Sequence, residues 1–183
     1  MYATDELRHE HEIILHLIAA LSSATEQLVA GKLINTADLA DMVEAIRTFA
    51  DNCHHGKEED CLFPAMEAMG MSREMGPIGV MLHEHEMGRK FVRGMMNGLE
   101  DMKAGQSHQS FAENASGYVS LLASHIFKEN NILFTMAEQS MSPAMHADLK
   151  EKFDSIERER IGEGVHEKIH ADVHRWFDLY AEK

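Results

Sequence analysis

Two ten-residue stretches, about seventy positions apart, spell the same pattern. The first is His54-His55-Gly56-Lys57-Glu58-Glu59-Asp60-Cys61-Leu62-Phe63. The second is His125-Ile126-Phe127-Lys128-Glu129-Asn130-Asn131-Ile132-Leu133-Phe134. Both read His-x-x-Lys-Glu-x-x-x-Leu-Phe. A His and a Glu four apart share one face of an α-helix. Two such pairs, brought together, supply two imidazole nitrogens and two carboxylates, a ligand set for one divalent transition metal or for two. The rest of the chain is read as the frame that brings them together.

That frame is helical throughout. Apolar residues recur at three- and four-residue spacing, with no strand pattern. Leu7, Ile14, Leu15, Ile18, Leu21 and Leu28 form a first helix, with Thr4 as N-cap and Gly31 as stop. A second runs from Thr36 to about Met69, with a kink or break expected at Pro64. Pro77 opens a third that reaches Lys103, and a fourth spans Ser107–Ser110 to the Ser140-Met141-Ser142-Pro143 breaker. Four long helices on short loops predict an all-α, up-down-up-down four-helix bundle over residues 1–140. Residues 141–183 read as a C-terminal extension of two shorter helices, 143–160 and 165–181, packed on the bundle, since so short a piece is marginal alone.

Helices one and three share a second repeat, His9-Glu10-His11-Glu12 and His83-Glu84-His85-Glu86. In a bundle, one stripe from each helix lines the interior. On the second helix, the wheel places His54 and Glu58 along Val43, Ala50, Cys61 and Ala65. It places His55 and Glu59 with Asp41, Glu44, Thr48 and Asp51, on the face that belongs in water. His11 and His85 continue the apolar rows better than His9 and His83, and they are the preferred choices. Burying His11, His54, Glu58, His85, His125 and Glu129 without a cation would cost several kcal/mol per unpaired ionised group. Exposing them would turn the apolar stripes outward. A metal removes the conflict.

The formal net charge of −14, from 17 basic and 31 acidic residues, argues against a nucleic-acid partner. No apolar run reads as a membrane span, and Met1-Tyr2-Ala3-Thr4-Asp5-Glu6 has acids where a signal peptide wants bases. The expected location is the cytoplasm. Cys53 and Cys61, eight apart on one helix, are too distant for a disulfide and are expected as thiols.

The span from about 7 to 140 resembles the hemerythrin-like, cation-binding (HHE) domain family. The resemblance rests on Leu7 through His11-Glu12, His54-x-x-Lys57-Glu58-Glu59 with Leu62-Phe63-Pro64, Glu84-His85, and His125-x-x-Lys128-Glu129 with Leu133-Phe134. It implies a non-haem site of two iron ions inside a four-helix bundle. It further implies His11, His54, His85 and His125 as terminal ligands and Glu58 and Glu129 as bridging carboxylates. Two departures separate the chain from the invertebrate oxygen carriers. Met81 and Arg89 flank His85 where those have a second His one turn away, and Asn130 stands where they place an Asp. Four His and two Glu look more like the bacterial members linked to iron-centre repair and nitric oxide chemistry.

The resulting expectation is a protein that binds or reacts with a small oxidant (dioxygen, nitric oxide or peroxide) as sensor, scavenger or repair protein, served by an electron donor. The alternative is a module that holds or donates iron to an acceptor without turnover. Zinc or manganese fit the same ligands. His166, His170 and His174 fall on one face of the last helix and read as a surface stripe, with a second cation site as the sharper reading. Cys61 reads as a small core residue or as a thiol close to the metal. Glu10, Glu12, Glu59 and Asp60 read as solvated, one of them available to hold an imidazole N–H.

Overall fold

The computed structural model describes residues 2–162 and 164–181. Residues 1, 163, 182 and 183, which fall at the outer limits of the two expected units and between the last two helices, lie outside the described residues. Six helices and no strand occur among the described residues. They are α1 (Thr4–Val29), α2 (residues 36–68), α3 (Pro77–Lys103), α4 (residues 109–140), α5 (Pro143–Arg160) and α6 (residues 165–181).

The starts follow local chemistry. The Asn35 side chain accepts the Ala37 N–H and caps α2, and Ser142 caps α5 by accepting from Met145, ahead of Pro143. Ala3, not Thr4, occupies the cap position of α1; the Thr4 hydroxyl instead donates to Glu138 of α4.

Three helices are not uniform. α2 widens to π-helical turns at Ile46–His55 and again at Glu58–Leu62, α4 does so at Glu129–Leu133, and α6 at Phe177–Ala181. Such i→i+5 turns shift every later side chain around the axis. They also explain why Pro64 does not break α2. The wide turn at Glu58–Leu62 delivers it to the first turn of a fresh α segment, Phe63–Ala68, where a missing N–H costs little.

The apolar interior is divided in two. One cluster holds Ile14, Leu17, Leu21, Ile46, Phe49, Met95, Phe111 and Leu122. The other holds Leu7, Leu62, Phe63, Met81, Leu133 and Phe134. α1 and α3 run from the second cluster to the first, and α2 and α4 run the opposite way. Each crosses a polar layer in passing. α5 closes the second cluster with Leu149 and Phe153, and α6 closes the first with Ile169, Val173 and Trp176.

By length and mean hydropathy, 1.2 over its best window, α1 could cross a membrane, which the sequence reading did not anticipate. Its inner face is buried in both clusters and carries Glu10 and His11 between them, the pattern of a core helix.

Candidate metal centre

The polar layer consists of His11 from α1, His54 and Glu58 from α2, His85 from α3, and His125 and Glu129 from α4. None is more than 1% exposed. The structure brings all six together. His11 Nε2 lies 2.9 Å from His54 Nε2, and His85 Nε2 lies 3.2 Å from His125 Nε2. The two carboxylates span these imidazole pairs. Glu58 places one oxygen 3.8 Å from His54 Nε2 and the other 3.4 Å from His85 Nε2. Glu129 places its oxygens 3.2 Å from His11 Nε2 and 3.2 Å from His125 Nε2. Two groups of potential ligand atoms result. One is His11, His54, Glu58 and Glu129; the other is His55, Glu58, His85 and His125. His9 and His83 are exposed and take no part.

Every one of the four imidazoles is held from behind. His54 Nδ1 meets Glu10 at 2.7 Å, His85 Nδ1 meets Glu59 at 2.7 Å, His125 Nδ1 meets Glu84 at 3.0 Å, and His11 Nδ1 meets Asn130 Oδ1 at 2.8 Å. An acceptor at Nδ1 assigns the proton there and leaves the Nε2 lone pair facing the layer. Lysines then hold two of the acceptors. Lys57, fully buried, donates to Glu10 at 2.5 Å, to Glu6 at 2.7 Å and to Glu157 of α5 at 3.2 Å. Lys128 donates to Glu84. The repeated phenylalanines complete the pattern: Phe134 stacks on His11 and Phe63 on His85, with ring planes 8° and 19° apart.

Four of the five constant positions of the two repeats serve the layer directly, and the fifth, Leu62 or Leu133, fills the second apolar cluster. The His and Glu face the layer, the Lys steadies a Glu from the His-Glu-His-Glu repeat, and the Phe backs an imidazole of that same repeat. The duplication is broken at two places. Glu59 corresponds to Asn130, so one imidazole is backed by a carboxylate and its counterpart by an amide. His55 corresponds to Ile126, so one side carries an extra imidazole.

His55 overturns the helical-wheel assignment. It is 4% exposed and sits against His85 and Asp51, not in water. The wide turns of Ile46–His55 bring both consecutive histidines inward. Glu10 is likewise 2% exposed, not solvated. Among the four acids read as solvated, two hold imidazoles of the layer, Glu10 and Glu59, while Glu12 meets only the exposed His9. The supporting Glu84, Lys57, Lys128 and Asn130 were missed; the signal was their presence inside the same repeats. Cys61 lies beside Asp60, Lys152 and Ile156 of the α5 groove, whereas Cys53 is the thiol near Glu10. His166 and His170 face Phe49 and His9, away from the six residues.

The electrostatics describe a layer that wants a cation. Burial, then the adjacent Glu129 charge, pushes the Glu58 carboxyl well above its usual range. Burial also opposes Glu129, but His125 and His11 outweigh it and hold that carboxyl well below. Burial and the neighbouring His11 bring His54 down to about 4, and burial and His55 bring His85 down to about 3. Both oxygens of Glu58 and of Glu129 are buried without a hydrogen-bond donor. Against burial, Glu129 and Glu84 raise His125 to about 9, so its inward nitrogen gives up a proton when a cation binds. The four inward imidazole nitrogens and four orphaned carboxylate oxygens are a donor set that fits a divalent metal.

A helical bundle with such a layer is the architecture of a cation-binding protein of the imidazole–carboxylate kind. The chain belongs to the hemerythrin HHE cation-binding domain family, whose model matches residues 2–137. It is similar to an uncharacterized protein of Mycobacterium tuberculosis, 22% identical over 97% of this chain and 71% of that protein. It is also similar to the iron-sulfur cluster repair protein YtfE of Edwardsiella ictaluri, 29% identical over 69% of this chain and 59% of that protein. No solved structure matches the chain.

Proposed function

We propose that the layer holds two iron ions, one in each group, with Glu58 and Glu129 as the carboxylates common to both, and that the protein binds or reduces a small oxidant. The observation that carries the reading is the disposition of Glu58, whose two oxygens address imidazoles of different groups. His11 and His54 would hold one ion, and His85 and His125 the other. Iron supplies electron exchange and coordination positions for dioxygen, nitric oxide or peroxide. The side chains fix imidazole orientation through Glu10, Glu59, Glu84 and Asn130, exclude bulk water, and balance the added positive charge.

Within that reading, iron-centre repair has support from the similarity to the Edwardsiella repair protein, although the chain spans only 59% of it. An electron donor or an iron acceptor, in the cytoplasm, completes the proposal. The competing role is iron storage or donation without turnover, and zinc or manganese would satisfy the same atoms. The test is metal analysis and Mössbauer spectroscopy after iron reconstitution, followed by anaerobic titration of the ferrous protein with each oxidant. Two antiferromagnetically coupled irons and an optical change with at least one oxidant are expected. Stable iron with no optical change favours the donor role; failure to retain iron removes both.

A further inference from the structure

Beside the His85–His125 pair lies a small cavity of about 10 Å³, roughly the space of one water molecule. His55, His85 and His125 form one wall, and Gly88, Val92, Leu122 and Tyr118 form much of the rest. Asp51 and Arg89, both half-buried, also line the cavity and pair at 2.8 Å.

Tyr118 is the anomaly in this wall. It is 2% exposed, yet its hydroxyl has no hydrogen-bond partner. A buried phenol ordinarily finds one, because an unmade hydrogen bond in a dry site is costly. Tyr118, Leu122 and His125 occupy one stripe of α4, so the phenol stands two turns from the imidazole. Burial, with the Asp51 charge adding to it, keeps the phenol far above its usual pKa, so the O–H is retained. Opposite the ring is Gly88, one turn past His85 on α3. A methyl placed there would lie 3.5 Å from Tyr118 Cε2, an ordinary contact. The bare glycine leaves room in the wall, and an alanine would occupy it without forcing anything aside.

We infer that this cavity receives the outer end of a ligand of two or three atoms held at the His85–His125 side of the centre, and that Tyr118 positions it by donating its O–H to the ligand's far atom. The size excludes an organic substrate. The Asp51 and Glu84 carboxylates in the lining disfavour a multiply charged anion, and the unpartnered Tyr118 O–H, across the cavity from the imidazoles, sets a preferred orientation. The inference rests on the iron reading above and deepens it by naming which side of the centre is addressed and by which side chain.

The experiment uses the iron-loaded full chain, with azide as the probe for the ferric form and nitric oxide for the ferrous form. Wild type is compared with Tyr118→Phe and Gly88→Ala. Iron content and helicity are expected to be unchanged in both variants. Azide affinity should fall about five- to tenfold in Tyr118→Phe, the scale of one lost hydrogen bond, and at least tenfold in Gly88→Ala. The iron–nitrosyl vibrations of wild type should shift in D2O, and those of Tyr118→Phe should not, a difference that a merely structural tyrosine would not produce. Wild-type binding with both variants equally tight and equally D2O-sensitive overturns this inference and leaves the iron reading standing. Loss of iron from Tyr118→Phe makes the residue structural and also overturns it. An iron-loaded wild type that binds neither probe overturns this inference together with the oxidant-binding role and leaves the iron-donor role.

Discussion

His55 lies flat against His85, with ring centroids 3.9 Å apart and planes 14° from parallel. Its ring is also edge-on to His125 at 5.7 Å. The side chain that the helical wheel assigns to solvent thus packs into the layer, and one of the two ligand groups contains three imidazoles where the other has two.

His55→Ala therefore has a consequence that an exposed residue would not. Removing the ring opens space beside His85 and deletes a candidate donor. Reconstituted His55→Ala should release one of its two irons to a chelator at least tenfold faster than wild type, the usual scale for loss of a supporting group at a metal. His54→Ala should lose dinuclear iron altogether. Chelator kinetics with Mössbauer spectra check this, and a wild-type release profile for His55→Ala would refute it.

Lys57 is completely buried and is the sole cation touching Glu10 among the described residues. Burial pushes Glu10 up, but His54 and Lys57 reverse this and hold the carboxyl near 2. Lys57→Met should destabilise the protein by about 3–5 kcal/mol, because it leaves a buried carboxylate short of its partner. Urea denaturation of the metal-depleted protein measures it. A cost below about 1 kcal/mol would show that Glu10 needs no such partner.

Asp38 ties α6 to α2. Its carboxylate accepts from Tyr180 at 2.8 Å and from Trp176 and Arg175 at 3.3 Å. Burial pushes its pKa up, and these three donors overcome that and hold it below the usual value. A depressed carboxylate stabilises the fold fully above its unfolded value, about 3.9, and the contribution disappears as pH falls through the lower folded value. Fluorescence of Trp176, the only tryptophan, should report α6 loosening first as acid is added. Asp38→Ala should cost about 2–3 kcal/mol at neutral pH, through the unpaired indole and phenol donors, and should flatten this acid limb. An acid transition identical to wild type in Asp38→Ala would exclude the residue as its origin.

Gly88 and Gly98 lie on the same helix and should respond oppositely to alanine. At Gly98 a methyl would come within 2.5 Å of the Phe111 backbone nitrogen, which cannot yield without moving α4. Gly98→Ala should lower stability by about 2 kcal/mol or more through overpacking. Gly88→Ala meets only ordinary contact and should raise stability by up to about 1 kcal/mol, the gain from helix propensity. Thermal unfolding of the two variants decides this, and equal shifts of one sign would contradict the packing.

The helices were legible in the order of residues alone, because a 3.6-residue apolar period and Pro–Gly punctuation are local. Four of the convergent side chains were equally legible, because a His and a Glu four apart must share a face and the chain writes the pair twice; His11 and His85 followed only as the better continuations of their apolar rows. What the order of residues could not decide is the second layer of the centre. Glu10 reaches His54, Glu84 reaches His125 and Asn130 reaches His11 across helix boundaries, and no spacing within one helix specifies those partners. Nor could an ideal wheel place His55, since the wide turns of Ile46–His55 rotate it inward. Local periodicity fixes which face of an ideal helix a residue occupies. Only the packed bundle sets how far each helix departs from that ideal, because the departure is stabilised by contacts between helices distant in sequence.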